Sequence, residues 1–193
     1  MVGKNPGQSV LIDDFSLQTN DGGIIEGGNP EQPEEPGDAI LSETFANGFG
    51  VFTPQDITGT QAWYADTQYH YVKMSAYQQG STYDNEDWLV SPAVDLSKSR
   101  TLAFEQAFGP ANKDMSNAAE IYTLWVSDNY SGDVATATWT QVAIEYPSES
   151  GWTFVPTSVT LPATGKNAHF AFKYKNTASD ATLTWEIKNL TVK

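Results

Sequence analysis

Phe170, Phe172 and Tyr174 alternate with Ala171, Lys173 and Lys175, and this period of two constrains the fold more than any other feature of the chain. Successive side chains of an extended strand point to opposite faces, so such alternation marks a half-buried strand. Strand-like runs recur over residues 69–77, 101–108, 120–127, 138–144, 167–175 and 182–192, separated by clusters of Gly, Asn, Asp, Ser or Pro. No long stretch carries the 3.6-residue period of an amphipathic helix. The pattern predicts an all-β chain folded as a two-sheet antiparallel β-sandwich of jelly-roll type.

Two local features refine this. In the last strand Leu183, Trp185 and Ile187 share one face, whereas Leu190 and Val192 fall on the other. A bulge near Lys188-Asn189 would return the last two to the core. Upstream, Trp88, Leu89 and Val90 read as a short buried strand. Ser91-Pro92 ends it, because proline cannot donate to a ladder, and Val94 and Leu96 resume the core. Asp84-Asn85-Glu86-Asp87, just before it, reads as a polar turn.

The core must lean on large rings: the 193 residues include six Trp, nine Tyr and nine Phe. The net charge of -14 and the sparse Lys and Arg argue against nucleic acid, whose phosphates need clustered cations. No apolar run is long enough to span a membrane. The chain has no Cys, which excludes disulfides and thiolate-held metals.

Gly, Pro and Glu dominate residues 19–39, the composition of an interdomain linker. Before it, residues 10–18 match residues 185–193 in kind at most positions: Ile12 with Ile187, Asp14 with Asn189, Phe15 with Leu190, Ser16 with Thr191 and Leu17 with Val192. Residues 1–18 are therefore read as a remnant of the last strand of an upstream domain; chance similarity of two short strands is the alternative. The start of the chain has no apolar signal-peptide core. The expectation is an excised piece of a longer polypeptide, with residues 40–193 as its one complete domain. An isolated strand is unstable, so residues 9–18 are expected to add to a sheet edge of this or a neighbouring molecule.

Asp87-Trp88-Leu89-Val90-Ser91-Pro92-Ala93-Val94-Asp95-Leu96 resembles the signature of the choice-of-anchor J and cleaved-adhesin domains, MAM-like and galactose-binding-like jelly rolls of Bacteroides-type surface proteins. Leu41-Ser42-Glu43-Thr44-Phe45 resembles their opening strand. Residues 124–133 with Ala137-Thr138-Trp139-Thr140 resemble a central strand and hairpin. Residues 170–175 and Thr184-Trp185-Glu186-Ile187 resemble the closing pair. The match covers residues 40–193. One departure is Lys188, which stands where the family usually has Asp. The resemblance implies a secreted or surface-located module.

Catalysis finds little support. His70 and His169 sit in no catalytic motif, and there is no nucleophile elbow or phosphate loop. The Asp84–Asp87 cluster lacks the spacing of a glycosidase pair on one strand. The chain is read as non-catalytic. The resemblance implies one structural Ca²⁺ where the first and last strands meet, with Glu43 and Glu186 as candidate ligands; Asp56, in the loop over residues 54–59, would add an oxygen. Residues 128–133 are a second cation candidate, although a hairpin turn explains them better.

Binding remains. Sugars stack on flat aromatic faces flanked by polar groups, and Trp63, Tyr64, Tyr69, Tyr71 and Tyr130 are the candidate ligand-binding residues. Trp63 and Tyr64 point to opposite faces if extended, so one of them is exposed. The expected function is adhesion to a polysaccharide or host glycan. The alternative is a structural spacer or protein-interaction domain.

Overall fold

The computed structural model describes residues 38–193. The expected linker over residues 19–39, all but its last two residues, and the expected strand over residues 9–18 lie outside them.

Among the described residues thirteen strands and one short helix follow in chain order: β1 Leu41–Glu43, β2 Thr53–Thr58, β3 Tyr64–Asp66, β4 Tyr71–Met74, β5 Tyr77–Gln78, β6 Ser81–Thr82, β7 Asn85–Val90, β8 Arg100–Gly109, α1 Ala118–Ile121, β9 Tyr122–Ser127, β10 Thr140–Val142, β11 Gly151–Leu161, β12 His169–Asn176 and β13 Thr184–Val192. They form the expected two antiparallel sheets, facing each other as a jelly-roll sandwich. One sheet has the order β11-β8-β13-β4-β3, with β1 also on β13; the other has the order β10-β9-β12-β7-β2. β5 and β6 make a separate hairpin.

Alternation decides what is buried. Trp185, Ile187, Phe104 and Phe108 from the first sheet meet Phe170, Phe172, Tyr174 and Leu89 from the second in one continuous core. Trp185 is its hub. Its ring lies 5.9 Å from Trp63, 6.0 Å from Phe108, 5.7 Å from Tyr122 and 5.6 Å from Phe172. Its indole N–H donates to the buried Gln106 Oε1 at 3.1 Å, while Gln106 Nε2 donates to the Glu145 carbonyl and to Thr157 Oγ1. The inserted amide thus has every polar end satisfied, as burial demands.

The bulge expected in the last strand is present. The β13–β8 register shifts between Lys188 and Thr191, and Asn189 takes a positive φ of 49°. Leu190 and Val192 return to the core. On the other edge of β13, pairing passes from β4 before the bulge to β1 beyond it.

Trp88 departs from the expectation of a place in the main core. It faces outward from the second sheet with Val90 and joins a smaller cluster with Trp125, Trp139, Tyr130 and Val134. The connection from β9 to β10 covers it: Gln55 Nε2 donates to the Gly132 carbonyl, and the Val134 amide donates to Gln55 Oε1. Residues 128–133 are thus the start of a cover over an aromatic patch.

Candidate functional site

The outer face of the six-stranded sheet carries an array of rings. The β3–β4 register sets Tyr64 opposite Lys73 and Asp66 opposite Tyr71. The β13 register then sets Glu186 opposite Lys73 and Ala107, and Lys188 opposite Glu105. Because opposed residues share a face, Tyr64, Lys73, Glu186 and Ala107 form one row across the sheet. Trp152 and Phe154 stand on β11, where a register irregularity between Gly151 and Val155 loosens the pairing.

Tyr64, Tyr69 and Trp152 are each more than half exposed. Tyr69 stacks on Tyr71 at 6.2 Å with planes 10° apart, although His70 between them adopts φ 55°. Tyr71 in turn meets Phe154 at 6.0 Å. Lys73 lies over the rings of Tyr64 and Tyr71, and Lys188 lies 4.0 Å from the Phe154 ring centre. Lys188 also pairs with Glu105 at 3.5 Å. The residue that departs from the family pattern is thus part of this outer face.

The buried setting of this face shifts its titratable groups. Burial, followed by the nearby Glu186 and Asp66 carboxylates, pushes the Tyr71 hydroxyl up to about 12. Burial also raises the Glu186 carboxyl above its ordinary range, against the opposing pull of Lys73 and Tyr71. At the end of this face an open pocket of about 600 Å³ is lined by Ser75, Tyr77, Gly109, Lys113, Asp180 and Thr184 among others. Gly109 belongs to both features: a Cβ there would overlap the Trp152 ring.

Several expected site residues fall elsewhere. Trp63 is a correction: its ring is buried against Trp185 and presents no face to a ligand. Of the adjacent pair, Tyr64 is the exposed one. Tyr130 stands on the opposite sheet, where its hydroxyl accepts from Gln55 Nε2 at 2.6 Å and its ring meets Trp139 and His169. Tyr69 and Tyr71 lie together as expected. Trp152 and Phe154, which the sequence reading missed, complete the array.

The three candidate calcium ligands are not brought together. Among the described residues no group of three or more Asp, Glu, His or Cys is placed to hold a metal ion. Glu43 accepts from the Phe45 amide at 2.7 Å and from the Val51 amide at 3.3 Å, with Gly50 packed against its carboxylate. These two N–H donors already occupy the carboxylate and leave it poorly placed to take a cation. Glu186 is committed to Tyr71 and Lys73 on the outer face. Asp56 lies in the other sheet, opposite Asp87. The residues where the first and last strands meet therefore do not fit the implied ion.

No protein-family model matches the chain, and no curated protein matches it in sequence. Solved structures do match its fold. The K2 cleaved-adhesin domain of Lys-gingipain superimposes with a TM-score of 0.57 at 15% identity, over 79% of this chain and 98% of that one. The K3 domain of Lys-gingipain from Porphyromonas gingivalis gives 0.54 at 16% identity, over 80% and 96%. The CBM22-2 xylan-binding domain from Paenibacillus barcinonensis gives 0.50 at 10% identity, over 80% and 99%. At these identities the likeness is one of fold: residues 38–193 have the jelly-roll fold of cleaved-adhesin domains, in agreement with the resemblance carried by residues 87–96. Among the described residues no helix is long and apolar enough to cross a membrane.

Proposed function

We propose that the chain is a non-catalytic extracellular binding module, part of a larger secreted or surface-anchored bacterial protein, that takes a polysaccharide or host glycan on the outer face of its six-stranded sheet. The observation that carries this is the joint exposure of Tyr64, Tyr69 and Trp152 on that face, interleaved with Lys73, Glu186, Lys188 and Glu105. Exposed apolar rings cost solvation and are found together where a ligand covers them. Aromatic faces with a few placed polar groups are what a sugar requires: the ring C–H faces stack and the hydroxyls hydrogen-bond. The pocket bordered by Gly109 would receive the part of the ligand that runs beyond Trp152, and Lys113 and Asp180 supply polar partners there. The fold neighbours support the reading: one is named for xylan binding and others for adhesion. A spacer without a ligand gives no reason for clustering these rings. The test is a polysaccharide and glycan binding screen with the wild type and with Tyr64→Ala and Trp152→Ala. A hit that both variants weaken supports the reading, and a hit that neither changes refutes it.

A further inference from the structure

The exposed rings of the six-stranded sheet stand at two separate ends of its outer face. Tyr64 lies on the edge strand β3, and Tyr69 lies in the β3–β4 turn, stacked on Tyr71. Trp152 comes from the opposite edge strand, β11, and its ring covers Gly109 at the end of β8. Register fixes the distance between these ends. Tyr64 is level with Lys73, Glu186 and Ala107, so it lies three strand spacings from β8 and two residues along β8 from Gly109. At ~4.8 Å between strands and ~3.4 Å per residue, the two ends are about 16 Å apart.

The charges of this face are already paired or spent. Lys73 stands opposite Glu186 and acts on its carboxyl. Lys188 pairs with Glu105 at 3.5 Å, and Glu105 also accepts from Asn189 Nδ2 at 2.8 Å. Asp66 accepts from the Gln68 and Tyr69 amides at 3.1 Å each, which holds the turn that carries Tyr69. In the pocket beyond Trp152, Lys113 stands with Asp114 and Asp180. Among these groups three lysines stand against five carboxylates. Bidentate recognition of a carboxylate or sulfate calls for arginine. The chain's single Arg, Arg100, sits at the other end of β8, where it donates to the Asp95 carbonyl at 3.3 Å. An acidic sugar would therefore meet an excess of negative charge and cations that already have partners.

We propose that the ligand of this face is an uncharged, extended polysaccharide chain that lies across the strands and binds by bridging the Tyr64–Tyr69 end to Trp152. This rests on the carbohydrate reading of the face and narrows it, leaving out acidic glycans and short sugars. A sugar unit with its linkage is close to one strand spacing in length, so about four units join the two ends. Either end alone stacks one or two rings. A chain held at one end presents itself to the other at high effective concentration, which is how two modest contacts become a specific one. Lys73 and the Lys188–Glu105 pair lie under the middle units, where they offer hydroxyls both donors and acceptors.

The test puts the full chain on a panel of neutral polysaccharides (xylan, glucan, mannan, galactan) and acidic ones (polygalacturonate, hyaluronan, heparin, sialylated glycans). Calorimetry with oligomers of defined length cut from the neutral hit follows. Binding is expected among the neutral polysaccharides, changing less than about twofold between ~0.05 and ~0.5 M salt, because no ion pair forms with the ligand. An oligomer of four units should bind at least about tenfold tighter than one of two units. Trp152→Ala, checked by melting, should bring the longer oligomer down to the affinity of the shorter. Acidic glycans that bind as tightly as neutral ones, or a two-unit sugar that binds as tightly as a four-unit one, would overturn this inference and leave the carbohydrate platform standing. A length preference that survives in Trp152→Ala would overturn it too. No hit on the whole panel would overturn the platform itself, and this inference with it.

Discussion

Trp152 lies flat over Gly109, so closely that the glycine's missing Cβ is the space the ring occupies. One residue belongs to the edge strand β11 and the other to the end of β8, and their contact joins the exposed rings to the pocket. Gly109→Ala should displace the ring without breaking the fold, because Trp152 is exposed and free to swing. The expected stability change is under about 1 kcal/mol, as for surface substitutions. Glycan binding should fall as far as in Trp152→Ala, with a red-shifted Trp emission. Unchanged binding by Gly109→Ala would separate the pocket from the platform.

Glu186 should set a pH dependence. Its folded-state carboxyl is raised by burial, so ionisation disfavours the fold. The stability it confers is complete below its unfolded value, near 4.5, and is lost as pH rises through the folded value. Glu186→Gln should flatten this part of the stability profile and leave the protein more stable at neutral pH. Urea midpoints measured from pH 4 to pH 8 for both proteins will show it; parallel curves would contradict it.

Gln106 should be costly to replace. Gln106→Leu orphans the Trp185 indole N–H, the Glu145 carbonyl and Thr157 Oγ1. Each buried group left unpaired costs about 1–3 kcal/mol, so chemical denaturation should show a loss of at least ~2 kcal/mol.

Glu43 should act as a hydrogen-bond acceptor for the backbone. Glu43→Ala removes the acceptor of the Phe45 and Val51 amides, and charge-assisted bonds of this type contribute about 1.5–3 kcal/mol. The melting temperature should drop equally with and without Ca²⁺. A loss seen only with Ca²⁺ would make Glu43 a metal ligand after all.

The sandwich was legible because alternation survives in its central strands, and even the bulge at Asn189 could be read from the slip of Leu190 and Val192. The edges were not. β2 and β11 carry Pro54 and Pro156, which argue against a strand in a ladder. Both are edge strands, where one side of the backbone needs no partner. With no strand read over residues 151–161, Trp152 and Phe154 went unnoticed, although their spacing two apart was a usable signal. Sequence spacing put Trp63 and Tyr64 on opposite faces but left open which one was inside. That is decided by Trp185, from a strand far along the chain. The same limit made a polar turn of residues 84–87, where Asn85 starts the buried strand β7: alternation of inward Asn85 and Asp87 with outward Glu86 leaves no hydrophobic trace.

The outer face of the six-stranded sheet as a carbohydrate platform is tested most directly by calorimetric titration of a polysaccharide hit into the wild type and into the double variant Tyr64→Ala/Trp152→Ala, both checked for identical melting. Binding lost by tenfold or more in a variant that melts like the wild type is the predicted result. Equal affinity for both proteins would show that the ligand lies elsewhere.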